Sequence, residues 1–342
     1  MEIKVRNVNH ALEEILWKFK TSGVLVNSRN GAVLRIPEPV LTTYTHPTER
    51  VLFSQLRDAN PFFHLFEALW MLGGYNEVDF PARFAKQIAA YSDDAVTLNG
   101  AYGYRWRHHF GHDQIKAALK ELRAQNTRRA VIAMWDGIED LQSAAHGSLD
   151  VPCNTHIYFD RPTGALDMTV CCRSNDAVWG AYGANAVHFS VLQQYMAEVL
   201  GVPVGVYRQF SNNMHIYADR PDVVRLLDSD GVRYVADDRY TQGHEALSPD
   251  IQHTRLIQPQ ESALAFLADI HRLVWRTGED CKYATEFFAE TVSPMQKAHA
   301  QYKSGLCECA RNTACEIAAQ DWMMACVDWL DRREVARDAK KT

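Results

Sequence analysis

Val170-Cys171-Cys172-Arg173-Ser174-Asn175-Asp176, behind an earlier Val151-Pro152-Cys153-Asn154, sets a cation, a hydroxyl and a carboxylate at the end of an apolar strand. The guanidinium offers a planar fork of donors, and with the adjacent serine it makes a phosphate cradle. The same charge, placed near Cys153, favours thiolate over thiol. Two readings stay open on these residues alone. One is a nucleophile beside an anion site, acting on a phosphorylated substrate. The other is a buried cysteine and an ordinary ion-paired arginine.

Outward from this stretch the pattern alternates. Thr155 to Asp160 and Leu166 to Cys172 read as strands around the turn Arg161-Pro162-Thr163-Gly164. A helix over Ala186 to Val199 ends at Gly201, and a further strand leads to Met214-His215-Ile216-Tyr217. Upstream, residues 8 to 20 carry a helix-period stripe, and Val24 to Ile36 reads as a hairpin around Asn30-Gly31. Pro61 opens an apolar helix stopped by Gly73-Gly74. Glu67 lies inside it with little polar company, so it needs a partner or a raised pKa, and is a candidate proton handler. Asp113 to Ala124 predicts another helix, followed by a strand over Ala130 to Trp135. Beyond residue 250 the pattern is helical, over Ala263 to Trp275, Ala284 to Ala298 and Thr313 to Leu330. The expected class is α+β: a mixed β-sheet with packed helices in residues 1–235, and a helical C-terminal extension of unassigned role in 236–342.

The 342 residues carry a formal charge of -6, which argues against nucleic acid as the main partner. No apolar run is long enough to span a bilayer, and the N-terminus lacks the apolar core of a signal peptide, so the expected location is cytoplasmic, or the host cytoplasm for a phage protein. Eight cysteines in a chain with ample core read as free thiols rather than a disulfide framework. Cys307, Cys309, Cys315 and Cys326 invite a zinc reading, but they lack paired C-x-x-C knuckles and sit among small residues at helical spacing, so no metal is expected.

Taken in order, Ser28-Arg29-Asn30-Gly31, Glu67-Ala68-Leu69-Trp70, Tyr102-Gly103-Tyr104-Arg105-Trp106-Arg107, Asp113-Gln114-Ile115, Arg128-Arg129, Pro152-Cys153, Arg173-Ser174-Asn175-Asp176 and His215-Ile216-Tyr217 make an ordered series. It resembles the folate-dependent thymidylate synthase superfamily, including its pyrimidine nucleotide hydroxymethylases, from about residue 10 to about residue 220. The resemblance implies a thymidylate-synthase-like sheet and one-carbon transfer from 5,10-methylenetetrahydrofolate to C5 of a pyrimidine nucleoside monophosphate. It implies Cys153 as nucleophile, and Arg29, Arg173 and Ser174 as phosphate ligands in their own subunit. Arg128 and Arg129 would cross a homodimer into the partner site. His215 and Tyr217 would hold the sugar, Asp176 the pterin of the folate. Glu67 would organise waters at the base, and Tyr102 would help move the C5 proton. A thiolate adding at C6 makes C5 enamine-like, which is why a nucleophilic cysteine is needed.

Departures from the family pattern bear on the product. The residue after the nucleophile is Asn154 rather than histidine, and Gln87-Ile88-Ala89-Ala90-Tyr91-Ser92 holds no tryptophan. The last residues, Arg337 to Thr342, form no apolar tail. A site that excludes water less well favours water over hydride as the trapping reagent, hence 5-hydroxymethylation of dCMP, CMP or dUMP, with a methylating synthase as the alternative. The base-reading position falls on Ala184 without a gap and on Asn185 with one inserted residue; spacing to His215 favours Asn185. A cysteine-histidine hydrolase using His146 or His156, and a non-catalytic nucleotide-binding relative, are the rivals.

Overall fold

The computed structural model describes residues 1–124, 127–228, 238–241, 251, 253–276 and 282–338. The strands are β1 (Glu2–Val5), β2 (Val24–Ser28), β3 (Gly31–Arg35), β4 (Val40–Tyr44), β5 (Val131–Ala133), β6 (Asn154–Asp160), β7 (Leu166–Cys172), β8 (Asn175–Asp176), β9 (Val204–Ser211) and β10 (Met214–Tyr217). The helices are α1 (Val8–Ser22), α2 (Pro61–Gly73), α3 (Asp79–Ala82), α4 (Tyr102–Tyr104), α5 (Gln114–Leu122), α6 (Glu139–Ala145), α7 (Asn185–Leu200), α8 (Pro221–Asp228), α9 (Ala263–Trp275), α10 (Ser293–Lys303), α11 (Cys307–Ala314) and α12 (Gln320–Asp338). The class is α+β, as the sequence predicts.

Two mixed sheets form, one in the order β1-β4-β9-β7-β6-β5 and the other β2-β3-β10-β8. In the larger, β7 runs parallel to β9 and antiparallel to β6. Its residues alternate sides as the pleat requires. Ile132, Ile157, Val170 and Gln209 lie opposite one another and are fully buried. α7 lies along β7 and β9, and α5 against β5. The next row, Val131, Tyr158, Thr169 and Arg208, points the other way, and with Phe210 it leaves that face exposed or half-buried.

The buried face is closed by α2 packed on α7. α2 starts where Asn60 Oδ1 accepts from Phe63 N at 3.1 Å, with Pro61 in its first turn where no N–H is missed. It stops at Gly74 (φ 86°), which donates back to Met71 O. α4 presses against α2 so closely that a Cβ on Gly103 would meet Met71 O at 1.7 Å.

Two expectations need correction. The hairpin loop is Arg29-Asn30, because Gly31 already pairs with Ser28; Gly31 takes φ 108° against the Asp219 carboxylate instead of sitting at the tip. The single helix expected over Thr313 to Leu330 is broken between Ala314 and Gln320. There the backbone turns outward to bond elsewhere: Ala318 N reaches Glu290 O at 2.9 Å and Ala319 N reaches Thr291 Oγ1 at 3.3 Å. Strands β1 and β4, which the sequence did not signal, pair in parallel at the sheet's edge.

The C-terminal helices add to the same apolar cluster as the sheet. Phe62 of α2 meets His299 at 5.2 Å and Trp329 at 5.6 Å between ring centres. Asp269 is fully buried and accepts from Ala284 N (2.9 Å), Thr285 N (2.8 Å) and Thr285 Oγ1 (2.8 Å), tying α9 to the segment that follows it. Cys309 and Cys315 are exposed, Cys307 accepts from Arg337 at 3.3 Å, and Cys326 is core, so these four do not converge. Residues 229–237, 242–250 and Ala339 to Thr342 lie outside the described residues, including most of the tail considered above. Among the described residues no helix is long and apolar enough to cross a membrane.

Gly103→Ala has no room to relax against a backbone carbonyl. It should cost about 3 kcal/mol or more, at the upper end of overpacking effects, read as a lowered urea midpoint with unchanged m-value.

Candidate active site

Cys153 sits just before β6, where the strand leaves the loop Ser148–Pro152. A bulge follows at once: Asn154 pairs with Cys172, yet His156 pairs with Cys171, so Thr155 is extra. Its carbonyl takes the freed bonds, from Met134 N (2.9 Å) and Trp135 N (3.0 Å). Bulges re-aim the side chains beside them, and here the neighbour is the nucleophile candidate. Asn154 is fully buried and donates to Cys171 O at 2.7 Å, while its Oδ1 has no partner.

Arg173, beyond the end of β7, clamps this loop. Its Nε donates to Pro152 O (2.9 Å), its Nη2 to Val151 O (2.8 Å), and its own backbone N–H to Cys153 O (2.9 Å). The guanidinium lies 5.6 Å over the Trp135 ring. Arg29 approaches from the β2–β3 tip and donates to Ser148 O at 3.0 Å. Ser174 follows Arg173 in the bend leading to β8. Arg105, which unlike Arg173 and Arg29 is fully buried, braces the far side of the loop. Arg105 binds Asp140 through both Nη atoms at 2.7 Å and donates to Asn99 O at 2.9 Å. Asn99 donates to Asp150 O at 3.1 Å, and Gly100 N donates to the Asp150 carboxylate at 2.8 Å.

These charges act on the Cys153 thiol in opposite directions. Burial pushes it above the ordinary thiol range; Arg173 and Arg29 pull it down, while Asp150 and Asp176 push it up. The expected sign of the Arg173 effect is present, but burial outweighs it. Burial likewise pushes Tyr102 well above the usual phenol range, with Cys153, Cys172 and Asp150 adding to it and Arg173 opposing. Tyr102 therefore shares the site with Cys153 as a neutral hydroxyl, its ring stacked on Phe189 at 5.6 Å.

Asp176 ends β8, beside His215 on β10. One carboxylate oxygen accepts from Trp179 N at 2.6 Å; the other is buried without a partner. Burial raises its pKa, against the pull of Trp179 N, His215 and Arg57. His215 and Tyr217 share a strand face with rings 5.6 Å apart, and Tyr217 lies 6.1 Å from Trp179.

Residues Ala177–Ala184 form a wide, π-helical turn that breaks at Tyr182 and Gly183 before α7 begins. A turn of this kind absorbs one extra residue. It brings Asn185, not Ala184, to the site: Asn185 Nδ2 donates to Asn175 Oδ1 at 3.1 Å, and Asn175 Nδ2 donates to Ser211 Oγ at 3.1 Å.

Glu67 has a partner that the sequence did not reveal. Its Oε2 accepts from His188 Nε2 at 2.8 Å, and both side chains are almost fully buried. His188 sits in a helix of otherwise mostly apolar residues, and only its spacing of three from Asn185 hinted at a shared face. Asp150, Arg57 and Asn175 were also missed as contributors. Arg128 and Arg129 are not brought to Cys153. They precede β5, at the end of β6 opposite Cys153, and seven residues of strand separate the two by roughly 20 Å. Arg129 pairs instead with Glu121 at 2.9 Å.

Residues 57–230 match the family model for thymidylate synthase. The chain belongs to the thymidylate synthase family. A protein of Pseudomonas phage M6 named deoxyuridylate hydroxymethyltransferase is 43% identical, over 99% of this chain and 96% of its own. Its namesake in Bacillus phage SP01 is 35% identical over 53% of this chain and 50% of its own. The crystal structure of thymidylate synthase from T4 phage aligns with a TM-score of 0.49 at 18% identity, covering 61% of this chain and 76% of that one. The family model ends at residue 230, whereas the likeness to the M6 protein runs on through α9–α12.

Alkylation of Cys153 by iodoacetamide, read by peptide mass spectrometry against pH, should rise with a midpoint above that of a free thiol. Arg173→Ala should move the midpoint further up and Asp150→Asn should move it down, the directions their charges dictate.

Proposed function

We propose that this chain is a folate-dependent deoxyuridylate 5-hydroxymethyltransferase. The observation that carries the chemistry is one enclosed thiol, Cys153, held by Arg173 and acted on by Arg29, Asp150 and Asp176, with Tyr102 beside it. The likeness to the M6 deoxyuridylate hydroxymethyltransferase over nearly both whole chains supports the product and the nucleotide.

In this reading the phosphate replaces water around Arg29, Arg173 and Ser174. The Cys153 sulfur adds to C6, and C5 becomes the nucleophile. Methylenetetrahydrofolate, when bound, supplies the one-carbon unit at the oxidation level of formaldehyde. The unpartnered oxygen of Asp176 suits a pterin N–H donor, which is the fit expected of a folate site. Tyr102 takes part in removal of the C5 proton, while His215 and Tyr217 hold the sugar. Positioning by the phosphate grip fixes C6 against sulfur, the term that two-substrate reactions need most.

Two features support water rather than hydride as the final reagent. Asn154 spends its amide on Cys171 O rather than serving as an acid or base. The turn Lys86–Tyr91 buries none of its side chains, so no apolar ring from it covers the reacting carbon. For the base, the Asn185 amide turns its nitrogen toward Asn175 Oδ1, leaving the carbonyl as acceptor. Uracil offers an N3–H to such an acceptor; cytosine offers a lone pair.

The pairing of subunits belongs to the same reading. The open face of the larger sheet carries Val131, Tyr158 and Phe210, an apolar surface suited to a second copy of this chain. Arg128 and Arg129 lie at its rim, too far from their own Cys153, and would serve the partner's phosphate site. The phage relatives suit an enzyme working in a host cytoplasm.

With dUMP tritiated at C5 and methylenetetrahydrofolate, the protein should release tritium and form 5-hydroxymethyl-dUMP without producing dihydrofolate; Cys153→Ala should do neither. Dihydrofolate in step with tritium would instead establish methylation. Asn185→Asp should lower kcat/KM for dUMP by about 10²-fold or more, because a carboxylate cannot donate to Asn175 Oδ1 and loses the bond that orients it, and should raise the dCMP-to-dUMP preference, because cytosine's N4–H2 donates to a carboxylate that uracil's O4 repels.

A further inference from the structure

Glu67 and His188 form a hydrogen-bonded pair between α2 and α7, with 5% or less of either side chain exposed. A carboxylate is acceptor-only, so His188 Nε2 carries the proton of this 2.8 Å bond. The other ring nitrogen, Nδ1, is buried without a partner. Asn185 lies one turn earlier on the same face of α7, reaching the Asn175 amide beside Asp176. The pair is therefore the layer directly behind the base-reading residue. The charged groups facing it come from each neighbouring element. His64 is one turn before Glu67 on α2; burial, then Arg57 and His188, hold its imidazole well below the usual range. Arg57 donates to Val178 O at 2.8 Å and feels Asp176. Asp176, Arg57, His64 and His188 thus act on one another through charge, and His188 is bonded to Glu67, in an otherwise apolar interior.

Resting on the function proposed above, we propose that His188 is the positioning residue for water addition: its Nε2–H holds Glu67 Oε2, so that the carboxylate's remaining oxygen takes a proton from the water attacking C5's exocyclic methylene. The step balances without any redox partner. Water oxygen forms a bond to the methylene carbon and the C5=CH2 electron pair moves into the C4 carbonyl as an enolate. The water proton goes to Glu67. The enolate then reforms C4=O, C5=C6 closes, and the C6–S bond breaks to return the Cys153 thiolate. His188 touches no reacting atom; it acts through Glu67. Neither residue is needed for the earlier loss of the C5 proton, which is Tyr102's part of the site.

The experiment is a single turnover with excess full-length enzyme, C5-tritiated dUMP and methylenetetrahydrofolate, comparing wild type, His188→Leu and His188→Gln. Tritium release, hydroxymethyl-dUMP and intact protein mass are followed together. In His188→Leu we expect release within about threefold of wild type but product formation slowed about 10²-fold, the usual scale of proton handling, with a Cys153-bound methylene-nucleotide mass accumulating. His188→Gln, whose amide can donate to Glu67, should recover at least tenfold of the lost product rate. Release and product falling together in both variants, or neither falling in His188→Leu, would overturn the proposal. If His188→Leu does not fold, His188→Gln alone decides: it must show release faster than product, with some adduct, or the proposal is wrong. Wild type that releases tritium but never forms the hydroxymethyl product would remove the underlying function instead, a result distinguishable from all of these.

Discussion

Arg173 is the residue on which the arrangement around Cys153 depends. Its side chain holds the carbonyls of Val151 and Pro152, and its backbone holds that of Cys153. A loop has no ladder of its own, so its position is set by whatever receives its polar groups. Here three consecutive carbonyls end on one residue at the end of the neighbouring strand. The residue that would grip a phosphate is thereby the same residue that fixes the backbone carrying Cys153. In the function proposed above, substrate and nucleophile would be registered to one another through this single rigid fork.

That dual role explains why the charge balance at Cys153 is a contest rather than a simple activation. Cys153 is half-buried among packed groups, and the loss of water around its thiol favours the neutral form. Two arginines oppose it and two aspartates reinforce it. A thiol held neutral at rest resists alkylation and oxidation, and a nucleophile needs its charge only when a pyrimidine is against it.

Much of this was visible in the residues. α2 was legible because Asn60-Pro61 and Gly73-Gly74 mark a start and a stop that physics allows few alternatives. Cys153, Arg173, Asp176 and Tyr102 came from ordered motifs, and the structure gathers them. The π-helical turn places Asn185 against Asn175, beside Asp176, in keeping with the spacing that favours Asn185 over Ala184. What escaped was of two kinds. His188 is remote in sequence from Glu67, and a histidine among apolar helix residues gives no periodic signal. The break after Ala314 was hidden because Cys315 to Ala319 has helix-compatible residues; its backbone is claimed by Glu290 and Thr291, a tertiary effect that no local propensity records.

The wide turn at Ala177–Ala184 has a consequence beyond housing an extra residue. Each residue of a helix advances its side chains by roughly 100° about the axis, so the turn works as a phase adjuster for all of α7. The identity of the side chains that α7 turns toward Asn175 and Glu67 is thus governed by chain length in one bend, separately from the letters that follow it. A lineage could change which residue takes the place of Asn185, and which lies behind it, through a one-codon gain or loss, with the sheet beneath left undisturbed.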